Sequence, residues 1–383
     1  MSIYLDHNAT APLDDRVFAA MEPWLRGVHG NPSSVHRYGR ADHEALETAR
    51  GQVAALVNAQ AAQVVFTGGG TEADNLALKG VCSGAPSGRV LVGSLEHSAV
   101  LGPAAALAKQ GWDLAYIPSD GEGRYDLDAL RKLLQRGPVR LVSTMLANNE
   151  TGAIQEVRQI AALVHEAGAV MHCDAVQAAG KLAVDFPALG ADLMTLSAHK
   201  LNGPRGVGAL VMNRRIALTP LVDGGGQEQG LRGGTENLAD IVGFGCAAEL
   251  AKSELAVRAG HVRSLRDRLE AAIAKLPGLR IFGAGAERLP NTVQFGIAGL
   301  DGEWLVMELD NRGIAVSSGS ACHSGSGRPS HVLTAMGVDA ATAKGALRVS
   351  FGASNTVQDV DALGTALTEI VSTLSKRVAA VGW

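Results

Sequence analysis

Short apolar runs rich in β-branched residues recur between about residues 60 and 212: QVVFT, RVLVGSL, DLAYIP, VRLVSTML, AVMHCD, DLMTLS and VGALVM. Longer stretches of helical pattern alternate with them. Such runs predict strands covered on both faces, and connections long enough to hold a helix suit parallel pairing. The pattern therefore predicts an α/β unit on a mainly parallel sheet, with a ligand sitting beyond the strand ends. From about Asn237 to Leu276, apolar residues recur at three-to-four spacing with charges between them, which predicts one long helix leaving that unit. After Pro277, strand patterns (LRIFG, NTVQFGI, ALRVSF) mix with helical ones (GEWLVMELDNRG, VQDVDALGTALTEIVSTLSKRV) and predict a smaller α+β domain. The boundary falls near residue 255. No internal repeat or low-complexity segment is evident.

A chain of 383 residues with 46% hydrophobic content can bury a large core, and the usual domain size of about 150 residues predicts two or three domains. Lys and Arg total 34 against 38 Asp and Glu, a formal charge of −4. This balance gives no electrostatic excess toward a phosphate backbone or an acidic bilayer, so neither nucleic acid nor a membrane is expected as a partner. The N-terminus MSIYLDHNAT lacks a basic stretch leading into an apolar segment, and the apolar runs fall far short of the ~20 residues of a membrane span. A cytoplasmic protein is expected. Cys82, Cys173, Cys246 and Cys322 lie far apart with no C-x-x-C pair, which suits reduced thiols rather than a disulfide framework or a zinc site.

Several segments carry candidate chemistry. Ser197-Ala198-His199-Lys200-Leu201-Asn202-Gly203-Pro204 follows a strand pattern and reads as a tight loop, which places Lys200 for a ligand unless it is simply a solvated surface group. Asp174 ends an apolar run; it suits either an acid partner for a pyridine nitrogen or a helix N-cap, and Gln177 stands three residues on. In Val64-Val65-Phe66-Thr67-Gly68-Gly69-Gly70-Thr71, a strand meets a glycine turn and a helix start, which offers backbone N–H groups to an anion. Gly68-x-Gly70-x-x-Ala73 with Glu96 also fits a dinucleotide fingerprint, so a NAD-dependent dehydrogenase is a competing reading. His97 suits either stacking on a flat cofactor or a structural role. Cys322 lies in the polar, glycine-rich run SSGSACHSGSG, an unusual setting for a structural thiol and a suitable one for a reactive thiol. Cys82 and Cys246 lie in apolar helical contexts and read as structural.

Taken together, Tyr4-Leu5-Asp6-His7-Asn8-Ala9-Thr10, Gly70-Thr71-Glu72, Glu96-His97, Asn148-Asn149-Glu150-Thr151-Gly152, Asp174-Ala175-x-Gln177, Ser197-x-His199-Lys200, Arg232-Gly233-Gly234-Thr235-Glu236-Asn237 and Ser317-Ser318-Gly319-Ser320-Ala321-Cys322 resemble the NifS/IscS cysteine desulfurases, within the class V aminotransferase group. One glycine loop does not sustain the dehydrogenase reading against that series. The resemblance implies the fold type I of pyridoxal-phosphate transferases. It has a large domain, 15–255, on a mainly parallel seven-stranded sheet. A smaller α+β domain, 1–14 with 256–383, carries a mobile cysteine loop at about 317–330.

By the same resemblance, Lys200 forms the Schiff base with pyridoxal phosphate, Asp174 pairs with the pyridine nitrogen, Gln177 binds the ring oxygen and His97 stacks on the ring. Gly70, Thr71, Ser197 and His199 meet the phosphate, and Thr235 completes that site from the partner subunit of a homodimer. Asn149 lies beside cofactor and substrate, and Arg348 grips the substrate carboxylate. Strand alternation in Leu347-Arg348-Val349 agrees by setting Arg348 opposite its apolar neighbours, although a surface salt bridge would look the same. The implied substrate is L-cysteine, with Cys322 taking the sulfur as a persulfide and His97 moving a proton. Cys322 is also a candidate iron–sulfur ligand during cluster transfer, with an iron–sulfur scaffold protein as sulfur acceptor. RGGTEN leans toward nitrogen-fixation members, and His323 replaces the small polar residue expected there. A selenocysteine lyase, a class V transaminase and a sulfur-binding scaffold are the alternatives.

Overall fold

The seven apolar runs form seven strands in the computed structural model, which describes residues 2–27, 30–84, 86–318 and 329–381. They are β1 (Val64–Thr67), β2 (Arg89–Gly93), β3 (Asp113–Ile117), β4 (Val139–Met145), β5 (Val170–Asp174), β6 (Leu193–Ser197) and β7 (Gly208–Met212). They build one sheet in the order β1-β7-β6-β5-β4-β2-β3. Six strands run one way, and β7 is antiparallel to both of its neighbours. Alternate residues feed different cores: Val64, Phe66 and Leu91 pack on one side, and Val65, Val90 and Val92 on the other. Both faces are dry, so the strands read as continuous apolar runs rather than as alternating ones. The helices α1 (Gly70–Cys82) and α2 (Ser98–Lys109) follow β1 and β2 and begin at the sheet edge where β4, β5 and β6 end.

The long helix expected over about 237–276 is instead two helices, α3 (Leu238–Ser253) and α4 (Leu255–Ile273). They part at Glu254, whose carboxylate takes Arg16 Nη1 at 2.5 Å and Arg258 Nε at 2.7 Å. Ile241, Phe244 and Ala248 of α3 enter the core of the large sheet, whereas Val262, Leu265 and Leu269 of α4 enter a separate one. The break lets the chain serve both.

That second core covers an antiparallel sheet of β8 (Leu279–Ile281), β9 (Thr292–Ile297) and β10 (Ala346–Ser350), in the order β10-β9-β8. Val293, Phe295 and Leu347 are fully buried in it, and a buried side chain of this kind contributes about 1.5–3 kcal/mol. The C-terminal helix α5 (Val357–Val381) adds Val360, Leu363 and Leu367. Leu5 joins the same core from the N-terminal segment, where Ile3–Tyr4 pairs in parallel with Ile314–Ala315. Among the described residues, no helix is long and apolar enough to cross a membrane.

Candidate active site

After β1 the chain turns through Gly68 and Gly69 into α1. Gly69 caps that helix with φ 147° and ψ 176°, a backbone region essentially confined to glycine. The turn sets the N-terminus of a 13-residue helix at a cavity wall, where Gly70 and Thr71 lie beside Ser197 and His199. Orphan N–H groups, a helix dipole and two hydroxyl side chains suit a phosphate.

Beyond Ser197, the residues Ala198–Lys200 form a single 3-10 turn that brings Lys200 to the same cavity. Its Nζ donates to the carbonyls of Asn8 at 2.6 Å and Ala9 at 2.8 Å. Asp174 ends β5, and its Oδ1 accepts the Val176 N–H at 2.9 Å. Burial lifts its carboxyl to about 6, against the opposing pull of that N–H and of Lys200. His97 caps α2, and its Nδ1 accepts the Ala99 N–H at 3.2 Å, so the ring proton belongs on Nε2. Burial, then Lys200, His331 and Arg348, hold its pKa down at about 4, which leaves a neutral imidazole at physiological pH. His199 is likewise lowered to about 4, chiefly by burial; its Nδ1 lies 3.1 Å from Thr10 Oγ1.

Two further carboxyls stand behind Asp174. Glu96 accepts the Met145 N–H at 2.6 Å and a short bond from the Tyr125 hydroxyl. Burial is the main cause that raises both Glu96 and Asp74 well above the usual carboxyl range, and the negative charge of Asp174 adds to it. Among the described residues, Glu96 Oε2 and Asp74 Oδ1 are buried without a hydrogen-bond partner. A cationic ring N–H is the kind of group this acidic cluster lacks.

Arg348 is 2% exposed, so the surface salt bridge is ruled out. Its Nη1 donates to the Asn149 carbonyl at 3.0 Å and its Nη2 to Asp6 Oδ1 at 2.7 Å, while its buried Nε has no partner among the described residues. Those bonds use two of its five N–H groups, and because Arg348 lines the cavity, the remaining ones suit a carboxylate. Leu347, Val349 and Phe351 face the second core, as strand alternation predicts.

All of the predicted site residues except Thr235 and Cys322 line one cavity of about 300 Å³. Thr235 is exposed on a turn that Arg232 ties to Glu72 at 3.1 Å, and it is not part of this chain's own cavity lining. Cys322 and His323 lie outside the described residues. Their described flanks are held at the cavity. Ser317 and Arg348 exchange backbone hydrogen bonds at 3.1 and 2.7 Å. Ser330 Oγ donates to Glu150 Oε2 at 2.6 Å, and His331 Nε2 lies 2.9 Å from the Glu96 carbonyl. Cys82 and Cys246 pack against apolar neighbours as expected.

Asn8 and Asp74 line the cavity, and Lys181 contacts Asn8 and Gln177 of that lining; none of the three had an assigned role from sequence. Asn8 stands inside a quoted motif, and Lys181 follows Gln177 by four positions, but neither pattern names a contact. Pyridoxal phosphate fits the residues present, with an amine for its aldehyde, an unsatisfied buried acid cluster for its ring nitrogen and a helix N-terminus for its phosphate.

The class-V aminotransferase family model matches residues 3–363. A cysteine desulfurase of Cereibacter sphaeroides is 46% identical over 97% of this chain and 96% of its own length. A solved NifS-like protein superposes with a TM-score of 0.91 at 36% identity, covering 97% of this chain and 100% of that one. SspA, solved in complex with cysteine, superposes with a TM-score of 0.82 at 30% identity, over 93% of this chain and 100% of its own. The family model and these likenesses cover almost the entire length, and the chain belongs to the class-V aminotransferase family.

Proposed function

We propose that this protein is a pyridoxal-phosphate-dependent cysteine desulfurase that converts L-cysteine to L-alanine and passes the sulfur to Cys322. The observation that carries the reading is the convergence of the Lys200 amine, the Asp174 carboxyl and the buried Arg348 guanidinium on one cavity, in a chain 46% identical to a cysteine desulfurase. When bound, pyridoxal phosphate supplies a ring that accepts the electron pair released at the substrate α-carbon. Lys200 would hold the cofactor, and the Asn8 and Ala9 carbonyls that accept from its Nζ would hold that amine in place whenever it is free. Asp174 keeps the ring nitrogen protonated. Arg348 and Asn149 would fix the substrate carboxylate, and neutral His97 would stack on the ring and move a proton at Nε2.

The Cys322 thiolate attacks the substrate sulfur. A sulfur–sulfur bond forms, the carbon–sulfur bond breaks, and its electron pair stays with the carbon, which takes a proton to become the methyl group of alanine. The Cys322 sulfur and the substrate sulfur each lose one electron and the substrate carbon gains both, so one L-cysteine and one thiol give one L-alanine and one persulfide. Supporting this role for Cys322, the described residues on either side of its segment are anchored at the cavity.

The two separate cores support a division into a large domain, 15–255, and a small one, 1–14 with 256–383. The exposure of Thr235, outside the lining of this chain's own cavity, supports a homodimer in which it completes the partner's site. An iron–sulfur scaffold protein is the proposed acceptor. The deciding experiment incubates the pyridoxal-phosphate-loaded protein with L-cysteine and measures alanine and sulfide, with and without Cys322→Ala. Wild type is expected to form alanine and the variant to lose it. No alanine from wild type rejects the assignment, and full activity in Cys322→Ala rejects the persulfide step alone.

A further inference from the structure

Lys181 is a half-buried residue with no place in the reaction above. Its Nζ donates to Gln177 Oε1 at 2.6 Å and to Asn8 Oδ1 at 2.9 Å, both neutral amide oxygens. Burial, with Lys200 and Arg348 nearby, pushes this amine well below the usual lysine range. On the other side of the Gln177 amide, Nε2 donates to the Asn8 carbonyl at 3.0 Å.

The two ends of a glutamine amide have nearly the same shape, so hydrogen-bond partners decide which end points where. Reversing Gln177 would set its oxygen against the Asn8 carbonyl and take from the Lys181 amine the acceptor it has at Oε1. One orientation remains, with Oε1 on Lys181 and Nε2 on Asn8, and the second Nε2 hydrogen is left for the cavity that Gln177 lines.

We infer that Lys181 is a positioning residue that locks the Gln177 amide with its donor end toward the phenolic oxygen of the bound cofactor. The inference rests on the reading of this cavity as a pyridoxal-phosphate site. A glutamine free to rotate would present an acceptor to that oxygen part of the time, and both cofactor affinity and ring electronics would change.

The test is a double-mutant cycle on the full-length protein with Lys181→Met, Gln177→Leu and the pair. Two quantities are read: the dissociation constant of pyridoxal phosphate, and the pH midpoint of the absorbance band of the lysine-bound cofactor. Lys181→Met is expected to weaken cofactor binding about tenfold and to move the midpoint by roughly half a unit or more. Both effects should largely disappear in the Gln177→Leu background. Effects of undiminished size in that background, or a Lys181→Met protein equal to wild type in both quantities, would overturn the inference. If Lys181→Met does not fold, Lys181→Gln goes through the same cycle against the same criteria. Wild type that takes up no pyridoxal phosphate removes the underlying reading. Wild type that loads normally, with Lys181→Met identical to it, removes the inference alone.

Discussion

Asp174 shows what burial does to one carboxyl. Its value of about 6 lies above the ordinary 3.8. Since the folded value exceeds the unfolded one, the cofactor-free protein loses stability as pH rises from about 4 through 6, and the loss persists above that window. Asp174→Asn removes this cost. The cofactor-free variant is expected to be more stable than cofactor-free wild type at pH 8, by on the order of 2–3 kcal/mol, with the gap closing toward pH 4. Thermal melts across that range decide it, and a variant less stable at pH 8 contradicts the account. Asp174 and Lys200 were legible because a polar residue at the end of an apolar run has few other places to go. Asn8 and Lys181 were not, because their partners lie across the fold: Asn8 meets Thr292 and Lys181 reaches back to Asn8, contacts that local spacing cannot encode.

At the scale of elements, the turn between β1 and α1 carries the clearest backbone requirement. Gly69→Ala would force a Cβ residue into a conformation that costs roughly 1–3 kcal/mol. The strain falls where α1 starts, so reduced stability in urea should accompany weaker binding of pyridoxal phosphate. Unchanged binding in a destabilised protein would mean that the helix N-terminus does not hold the phosphate. All seven strands of the large sheet were legible, since runs buried on both faces stay apolar and are punctuated by turns. The parting of α3 and α4 was not. No glycine or proline marks Glu254, and the break arises because the flanking helices answer to two different cores.

For the whole molecule, the N-terminal segment is the joint between the two sheets. The Asn8 side chain donates to the Asn149 carbonyl at 3.1 Å and to Thr292 Oγ1 at 2.9 Å, and accepts from Lys181 and Asn291. Asn8→Ala strands several buried polar groups at once, and a loss of about 2–4 kcal/mol in denaturant titration is expected. A loss below about 0.5 kcal/mol would show that the joint does not depend on this side chain. The same segment meets the far end of the chain, where Asp6 holds Arg348 and the Asn8 N–H donates to Ser350 Oγ across 342 positions. A ribosome has therefore released the whole of the large sheet before the proposed carboxylate grip can exist. The phosphate turn and the lysine emerge first and the arginine last, so a growing chain has the residues proposed to hold the cofactor well before it has a place for the substrate.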